Sequence, residues 1–407
     1  RLSSAGGAPG VVVATPGRLL DHLGSGNMVL DEVDTLIFDE ADRLLDMGFR
    51  PDIEKILGAM GGKGRAAKQV LLFSATLPKE VDRMAKLAMG GSGYELVDTV
   101  GEDEGTHQHV SQKVTVSPLG EVADALFAIV DAAMKAEPER FKVMVFLATA
   151  RQTQLYAEIF SKVLGEKAVL EMHSRKSQSK REKISAEFRN GTGLIMFSSD
   201  VSARGMDYPD VTTVVQVGVP ESVEQYTHRL GRTARGDSEV VGNGHLILAD
   251  FESSAFLREA KDLPLENVPI ATLLAGTDKQ AIADVDDATR ALPKNTVESA
   301  YQAFLGYYLS NMRRVSLRTK EDLVYVANQW ACETLGYGTI PPALPGKTVG
   351  KMQLKGVEGV RVESAAVTAE RRGGRGGGGG ARGGGGEGRY ANRGTLAPEM
   401  SRGGGGG

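Results

Sequence analysis

Leu36-Ile37-Phe38-Asp39-Glu40-Ala41-Asp42 is an apolar run that passes without transition into carboxylates. With Thr35 in front, its length and composition predict a strand over Thr35 to Phe38. Comparable runs recur at Val11 to Ala14, Val70 to Phe73, Val143 to Leu147, Leu194 to Phe197, Val214 to Val217 and His245 to Leu248. They lack polar alternation, which marks parallel strands covered on both faces. The intervening segments read as helices: Arg18 to Leu23, Pro51 to Met60, Lys79 to Met89, Val122 to Lys135, Arg151 to Leu164 and Gln178 to Arg189. Alternating strand and helix means an α/β architecture built on parallel sheets. Asp39 and Glu40 then stand at the carboxyl edge of a sheet, where such folds place their ligands.

The strands form two sets, separated by the acidic, glycine-containing stretch Asp98 to Thr106, read as a linker. The expected division is 1–97, a first and incomplete domain; 98–106, linker; 107–250, a second domain; 251–370, a helical extension; and 371–407, a disordered tail. In the extension, Tyr301, Phe304, Leu305, Tyr308, Leu309 and Met312 follow helical spacing, with Asn295 and Glu298 placed as a capping box. A second helix is expected from Thr319 through Leu323, Ala327 and Trp330 to a stop at Gly336. The aromatic stripe reads as core rather than as a ligand surface.

At 407 residues the chain has room for two to three domains of roughly 150 residues each. Its single cysteine, Cys332, excludes an internal disulfide and a multi-cysteine zinc site, and the six histidines (22, 107, 109, 173, 228, 245) show no metal-ligand spacing. Without an apolar run of roughly 18 residues, no membrane partnership is expected. Arg1 stands where a start methionine would, so further sequence, with any targeting peptide, is expected upstream. Glycine makes up 52 of the 407 residues, and 18 of these lie in 371–407 beside seven arginines and two glutamates. The tail therefore carries +5 and the preceding residues −9. Its Arg-Gly-Gly triplets at Arg372, Arg375, Arg382 and Arg402, with Tyr390 between them, suit phosphate contact and base stacking, or else serve as a solvated linker.

Four segments can carry chemistry. In nucleoside triphosphatases, an acid such as Asp39 holds Mg²⁺, often through water, and one such as Glu40 orients the attacking water. The alternative is a strand end followed by a charged helix start. The segment His228-Arg229-Leu230-Gly231-Arg232-Thr233-Ala234-Arg235 clusters guanidinium groups that can stabilise a transferring phosphoryl group, or form a solvated basic face. Thr15-Pro16-Gly17-Arg18 opens a helix whose free amides can bind an anion, although the same letters make a common turn. Ser74-Ala75-Thr76 offers hydroxyls towards the same crevice and means little alone.

Taken in order over residues 10 to 250, these segments resemble the DEAD-box RNA helicase family. Thr15 to Arg18 is similar to its motif Ib, Asp39 to Asp42 to motif II, Ser74 to Thr76 to motif III and Val145 to Thr149 to motif IV. Gln178, Arg181 and Phe188 resemble motif IVa, Ser199 to Asp207 (SDVSARGMD) motif V, and His228 to Arg235 motif VI. Gln216 to Pro220, Tyr301 to Tyr308 and Gly350 to Gly356 further resemble an organellar, intron-splicing subgroup with a helical C-terminal extension.

The resemblance implies two RecA-like domains, ATP and Mg²⁺ as cofactors, and RNA as the partner. It implies that Asp39 and Glu40 serve Mg²⁺ and the attacking water, that Asp207 meets the ribose, and that Arg232 and Arg235 complete the γ-phosphate site on closure. Thr15, Gly17, Arg18, Arg181, Ser199 and Arg204 would contact RNA, while Ser74, Thr76 and His228 would couple the two sites. Ribonucleoprotein contacts through the tail, and a mitochondrial or chloroplast location with the nucleus as alternative, follow in the same way. The family's phosphate-binding pattern G-x-x-x-x-G-K-[ST] does not occur in the 407 residues. These residues alone are therefore expected to lack ATPase activity, and an RNA-binding module is the alternative reading. DNA unwinding is disfavoured by the spelling of motifs II and VI.

Overall fold

The computed structural model describes residues 10–46, 48–60, 69–74, 79–89, 93–97, 110–200, 208–233 and 242–363. The expected linker and the glycine-rich tail lie outside the described residues. Among the described residues there are two sheets, both wholly parallel.

The first sheet pairs β1 (Thr35–Phe38) with β2 (Gln69–Leu72), Thr35 opposite Gln69 and Phe38 opposite Leu72. Phe38, Ala41, Ile53, Val81 and Met84 form a small core between this sheet and the helices Arg50–Met60 and Lys79–Ala88. Val11 to Ala14 does not become a strand: its backbone finds no ladder partner among the described residues, and Val11 and Val13 stand 83% and 94% exposed. Ile37 and Phe73 are also exposed, as expected for a sheet of few strands.

The second sheet contains β3 (Ser111–Ser117), β4 (Lys142–Leu147), β5 (Val169–Met172), β6 (Leu194–Ser198), β7 (Thr213–Val217), β8 (Asn243–Ala249) and β9 (Glu266–Asn267). Their spatial order is β5-β6-β4-β7-β8-β3-β9. The central strand β4 explains its own unbroken hydrophobicity. Val143, Val145 and Leu147 pack into one cluster with the helices Val122–Ala136 and Ala150–Leu164, while Met144 and Phe146 pack into another with Ile184 and Phe188 of helix Gln178–Asn190. A strand covered on both faces has no use for alternation.

After β8 the chain is mostly helical, and its helices add to the first of these clusters instead of founding one of their own. Helix Lys294–Ser310 buries Tyr301, Phe304, Leu305 and Tyr308, and the Phe304 ring stacks on Trp330 at 4.9 Å. Each such side chain contributes roughly 1.5–3 kcal/mol of burial. The capping box expected at Asn295 and Glu298 does not form. Pro293, fixed at φ −59°, occupies the N-cap, which puts Asn295 inside the first turn, and Glu298 instead accepts a hydrogen bond from the Tyr337 hydroxyl at 2.9 Å. The helix after Thr319 runs over Lys320–Gln329, widens into a π-turn at Trp330–Thr334, and ends as expected at Gly336, whose φ of +64° suits glycine.

Candidate functional site

β1 ends at Phe38, so Asp39 and Glu40 leave the sheet at its carboxyl edge. The turn there is strained: Glu40 has φ +50°, a region that disfavours residues with a Cβ and costs of order 1–3 kcal/mol. Neighbouring bonds hold it in place. The Glu40 amide donates to Asp39 Oδ1 at 3.0 Å, the Ala41 amide to the Phe73 carbonyl at 3.0 Å, and the Asp42 amide to Ser74 Oγ at 3.3 Å. The Asp39 carboxylate stays exposed, Glu40 is half-buried beside Arg43 at 3.3 Å, and Asp42 is buried. Ser74 thus ties the end of β2 to the start of helix Ala41–Asp46.

The second sheet presents its carboxyl edge through the segments following β4, β5, β6 and β7. Thr149 Oγ1 caps helix Ala150–Leu164 by accepting from the Gln152 amide at 3.1 Å. Ser199, just past β6, is buried and its amide donates to the Met172 carbonyl at 3.1 Å. Helix Val223–Leu230 starts at Ser222, whose hydroxyl accepts from the Gln225 amide, and carries His228 and Arg229 on its last turn. Arg229 is 2% exposed, pairs with Asp200 at 2.8 Å and lies over the Phe146 ring at 5.5 Å. Its charge is already satisfied, so within the arginine cluster it has a structural task. Arg232 lies one turn on, is buried, and donates from Nε to the His228 carbonyl at 3.3 Å.

The two edges meet. His228 Nε2 lies 3.8 Å from Asp42 Oδ2, with the Asp42 side chain 4% exposed. The acidic turn of the first sheet and the helix carrying His228 thereby touch at this pair, whose members stand 186 residues apart in sequence.

The remaining candidate residues sit on separate elements. Thr15 is the N-cap of helix Pro16–Gly24 but makes no side-chain cap, so the first-turn amides are left to other acceptors. Nothing lies within 4 Å of where a Cβ on Gly17 would stand, and Arg18 is exposed, with only a loose 3.8 Å pairing to Asp21. Arg181 donates to Gln178 Oε1, and its buried Nε finds no protein acceptor among the described residues. Thr76, Arg204, Asp207 and Arg235 lie outside the described residues.

The sequence reading missed Asp200, which neutralises Arg229, and Glu252, which is buried beneath the segment after β7. The Asp-Phe-Glu order behind β8 was the available signal for Glu252, which accepts from the Ala249 amide three positions back at 2.8 Å. Also missed was Lys142, whose Nζ is held at 3.1 Å by the carbonyls of Arg189 and Pro209 and whose pKa burial lowers.

Residues 1–84 match the model of the DEAD/DEAH box helicase family, and residues 124–237 match that of the helicase conserved C-terminal domain. Among curated relatives, DEAD-box ATP-dependent RNA helicase 26 of Oryza sativa subsp. japonica is 46% identical over 359 residues, covering 86% of this chain and 63% of its own length. ATP-dependent RNA helicase MSS116, mitochondrial, of Phaeosphaeria nodorum is 39% identical over 368 residues, covering 88% of this chain and 64% of its own length. The chain thus spans less than two thirds of these relatives. A structure of Mss116p bound to ssRNA and AMP-PNP superposes with a TM-score of 0.72 at 28% identity, over 87% of this chain and 70% of that one. Its counterpart bound to ssRNA and UDP-BeF gives a TM-score of 0.70 at 26% identity, over 87% and 71%. With both helicase models matching in order, and with Asp42 and His228 brought together from the two matched regions, this chain belongs to the DEAD-box RNA helicase family.

Proposed function

We propose that these residues are the catalytic and RNA-gripping part of an ATP-dependent RNA helicase or RNA chaperone that couples hydrolysis to local duplex opening. The observation that carries this reading is the 3.8 Å approach of His228 to Asp42, which joins an acidic edge to an arginine helix. In this reading the chain divides into a RecA-like domain at 1–97, a linker at 98–106, a second RecA-like domain at 107–250, the extension at 251–370 and an RNA-binding or ribonucleoprotein-binding tail at 371–407.

The donors present fit Mg²⁺. Asp39 and Glu40 offer hard carboxylate oxygens at an exposed strand end, and among the described residues no group of three or more metal-capable side chains exists. That suits an ion that takes one or two carboxylates and fills its shell with phosphate and water. When bound, Mg²⁺ neutralises phosphate charge. Glu40 accepts a hydrogen bond from the attacking water and aligns it, aided by the fixed strained turn. Arg232 and Arg235 approach the γ-phosphate from the other domain, and Asp207 holds the ribose. Ser74, Thr76 and His228 transmit closure between domains. Thr15, Gly17, Arg18, Arg181, Ser199 and Arg204 hold the sugar-phosphate backbone, which carries no base information. Because ATP and RNA favour the same closed arrangement, each tightens the other.

The 407 residues contain no G-x-x-x-x-G-K-[ST] pattern, so taken alone they are expected to bind RNA without turning over ATP. Mitochondria or chloroplasts are the proposed compartment, supported by the mitochondrial MSS116 relative. Among the described residues no helix is long and apolar enough to cross a membrane.

Fluorescence anisotropy with a labelled U10 oligonucleotide tests the RNA reading: affinity falls steeply with salt and drops about tenfold in Arg181→Ala. Binding unaffected by that change would remove Arg181 from the RNA site. In a version extended upstream by a segment carrying a G-x-x-x-x-G-K-[ST] loop, Glu40→Gln leaves RNA affinity intact and abolishes turnover. Undiminished hydrolysis in that variant would reject the role given to Glu40, and equal stimulation by single-stranded DNA would favour a DNA motor.

A further inference from the structure

The segment between β7 and helix Val223–Leu230 is held by the backbone bond from the Gly218 amide to the Ile247 carbonyl at 2.9 Å and, beyond it, by side chains from later in the chain. Both polar groups of Val219 are taken: its amide donates to Glu252 Oε1 at 3.0 Å and its carbonyl accepts from the Tyr307 hydroxyl at 2.8 Å. The Tyr308 hydroxyl donates to the same Glu252 oxygen at 2.5 Å, and Arg314 donates to the Pro220 carbonyl at 2.5 Å. Glu252 and Tyr308 are buried, and Gly218 runs so close that a Cβ there would stand 3.3 Å from Glu252 Oε1, at a backbone φ of +88°. Burial pushes the Glu252 carboxyl up while its three hydrogen bonds pull it back down. The segment then leads directly into the helix bearing His228, with Arg232 a turn beyond.

We propose that Tyr307, Tyr308 and Glu252 are positioning residues for His228 and Arg232, so that the helical extension forms part of the phosphate-side machinery instead of serving only as an attached RNA-binding module. The inference rests on the helicase reading above. Its physical basis is rigidity. A short connection whose amide and carbonyl are both anchored cannot let the following helix roll, and a misplaced guanidinium loses its alignment with any phosphate. The extension's core is continuous with that of the second sheet, so this anchor is itself well supported.

The test is hydrogen-exchange mass spectrometry on the 407-residue chain, comparing the parent with Tyr307→Phe/Tyr308→Phe. Peptides covering residues 221–233 are expected to exchange at least tenfold faster, while those covering β4 and helix Lys320–Gln329 keep their parental rates and the thermal midpoint stays within the range of ordinary surface variants. The His228 ring resonance, assigned through His228→Gln, is expected to move in the same variant. Glu252→Gln retains one acceptor for Val219 and Tyr308 and is expected to fall between parent and double variant. A uniform rise in exchange over the whole second sheet, or no rise at 221–233, overturns the proposal. Should the double variant not fold, the single Tyr308→Phe change is read by the same criteria. U10 affinity is recorded alongside: loss of RNA binding by the parent would count against the helicase reading, whereas a parent that binds RNA but shows no local effect in the variants counts against the positioning role alone.

Discussion

Two residues show where stability is spent. Glu40 sits at φ +50° although glycine would sit there more readily. Glu40→Gly is expected to stabilise the fold by ~0.5–1 kcal/mol in urea unfolding while removing the group assigned to the attacking water. A loss of stability instead would show that the turn is not strained. Asp124 is 8% exposed, and desolvation, followed by the like charges of Asp286 and Glu121, pushes its carboxyl up to about 7. A carboxyl raised in the folded state keeps its proton there while the unfolded chain releases it, so stability falls as pH climbs from about 4 to about 7. Asp124→Asn is therefore expected to match the parent near pH 4 and to exceed it by at least ~1 kcal/mol at pH 8, measured by thermal unfolding across pH. Asp39, Glu40 and His228 were legible as letters in a motif, whereas the strain at Glu40 and the burial of Asp124 depend on neighbours that no local window contains.

In the second sheet legibility followed covering, whereas β1 and β2 were read from composition although Ile37 and Phe73 stand exposed. Strands β4, β6, β7 and β8 were visible because both faces are covered, which leaves an uninterrupted apolar signature. β3 was not, because its buried positions include polar side chains that are satisfied far away: Gln112 accepts from the Tyr226 hydroxyl at 3.0 Å, and Thr115 lies 2.9 Å from His245 Nε2. β5 was broken up by Glu171, which is committed to His173 at 2.6 Å and Lys176 at 2.7 Å. In the extension the real cap is at Thr319, whose hydroxyl accepts from the Asp322 amide at 3.1 Å while Asp322 accepts from the Thr319 amide at 3.0 Å. Those bonds hold the Asp322 carboxyl below the usual range. Thr319→Ala is expected to cost about 1 kcal/mol in urea unfolding. A change within experimental error would mean that packing of Leu323 and Val324 alone sets this helix start.

Across the whole molecule, the sequence indicated the chemistry before it indicated how the pieces meet. The motif order pointed to acids in the first region and arginines in the second, while the contact between Asp42 and His228 depends on how the two sheets approach. Nor was the role of the extension legible, because Tyr307 and Tyr308 look like ordinary members of a buried stripe until their hydroxyls are followed to Glu252 and Val219. The most direct measurement is ATP turnover with and without single-stranded RNA, made on the version carrying an upstream phosphate-binding segment, in the parent and in His228→Ala. RNA is expected to accelerate the parent at least tenfold and to accelerate His228→Ala far less, with RNA affinity nearly unchanged. A parent whose turnover is indifferent to RNA would contradict the contact of His228 with Asp42 as the seat of coupling.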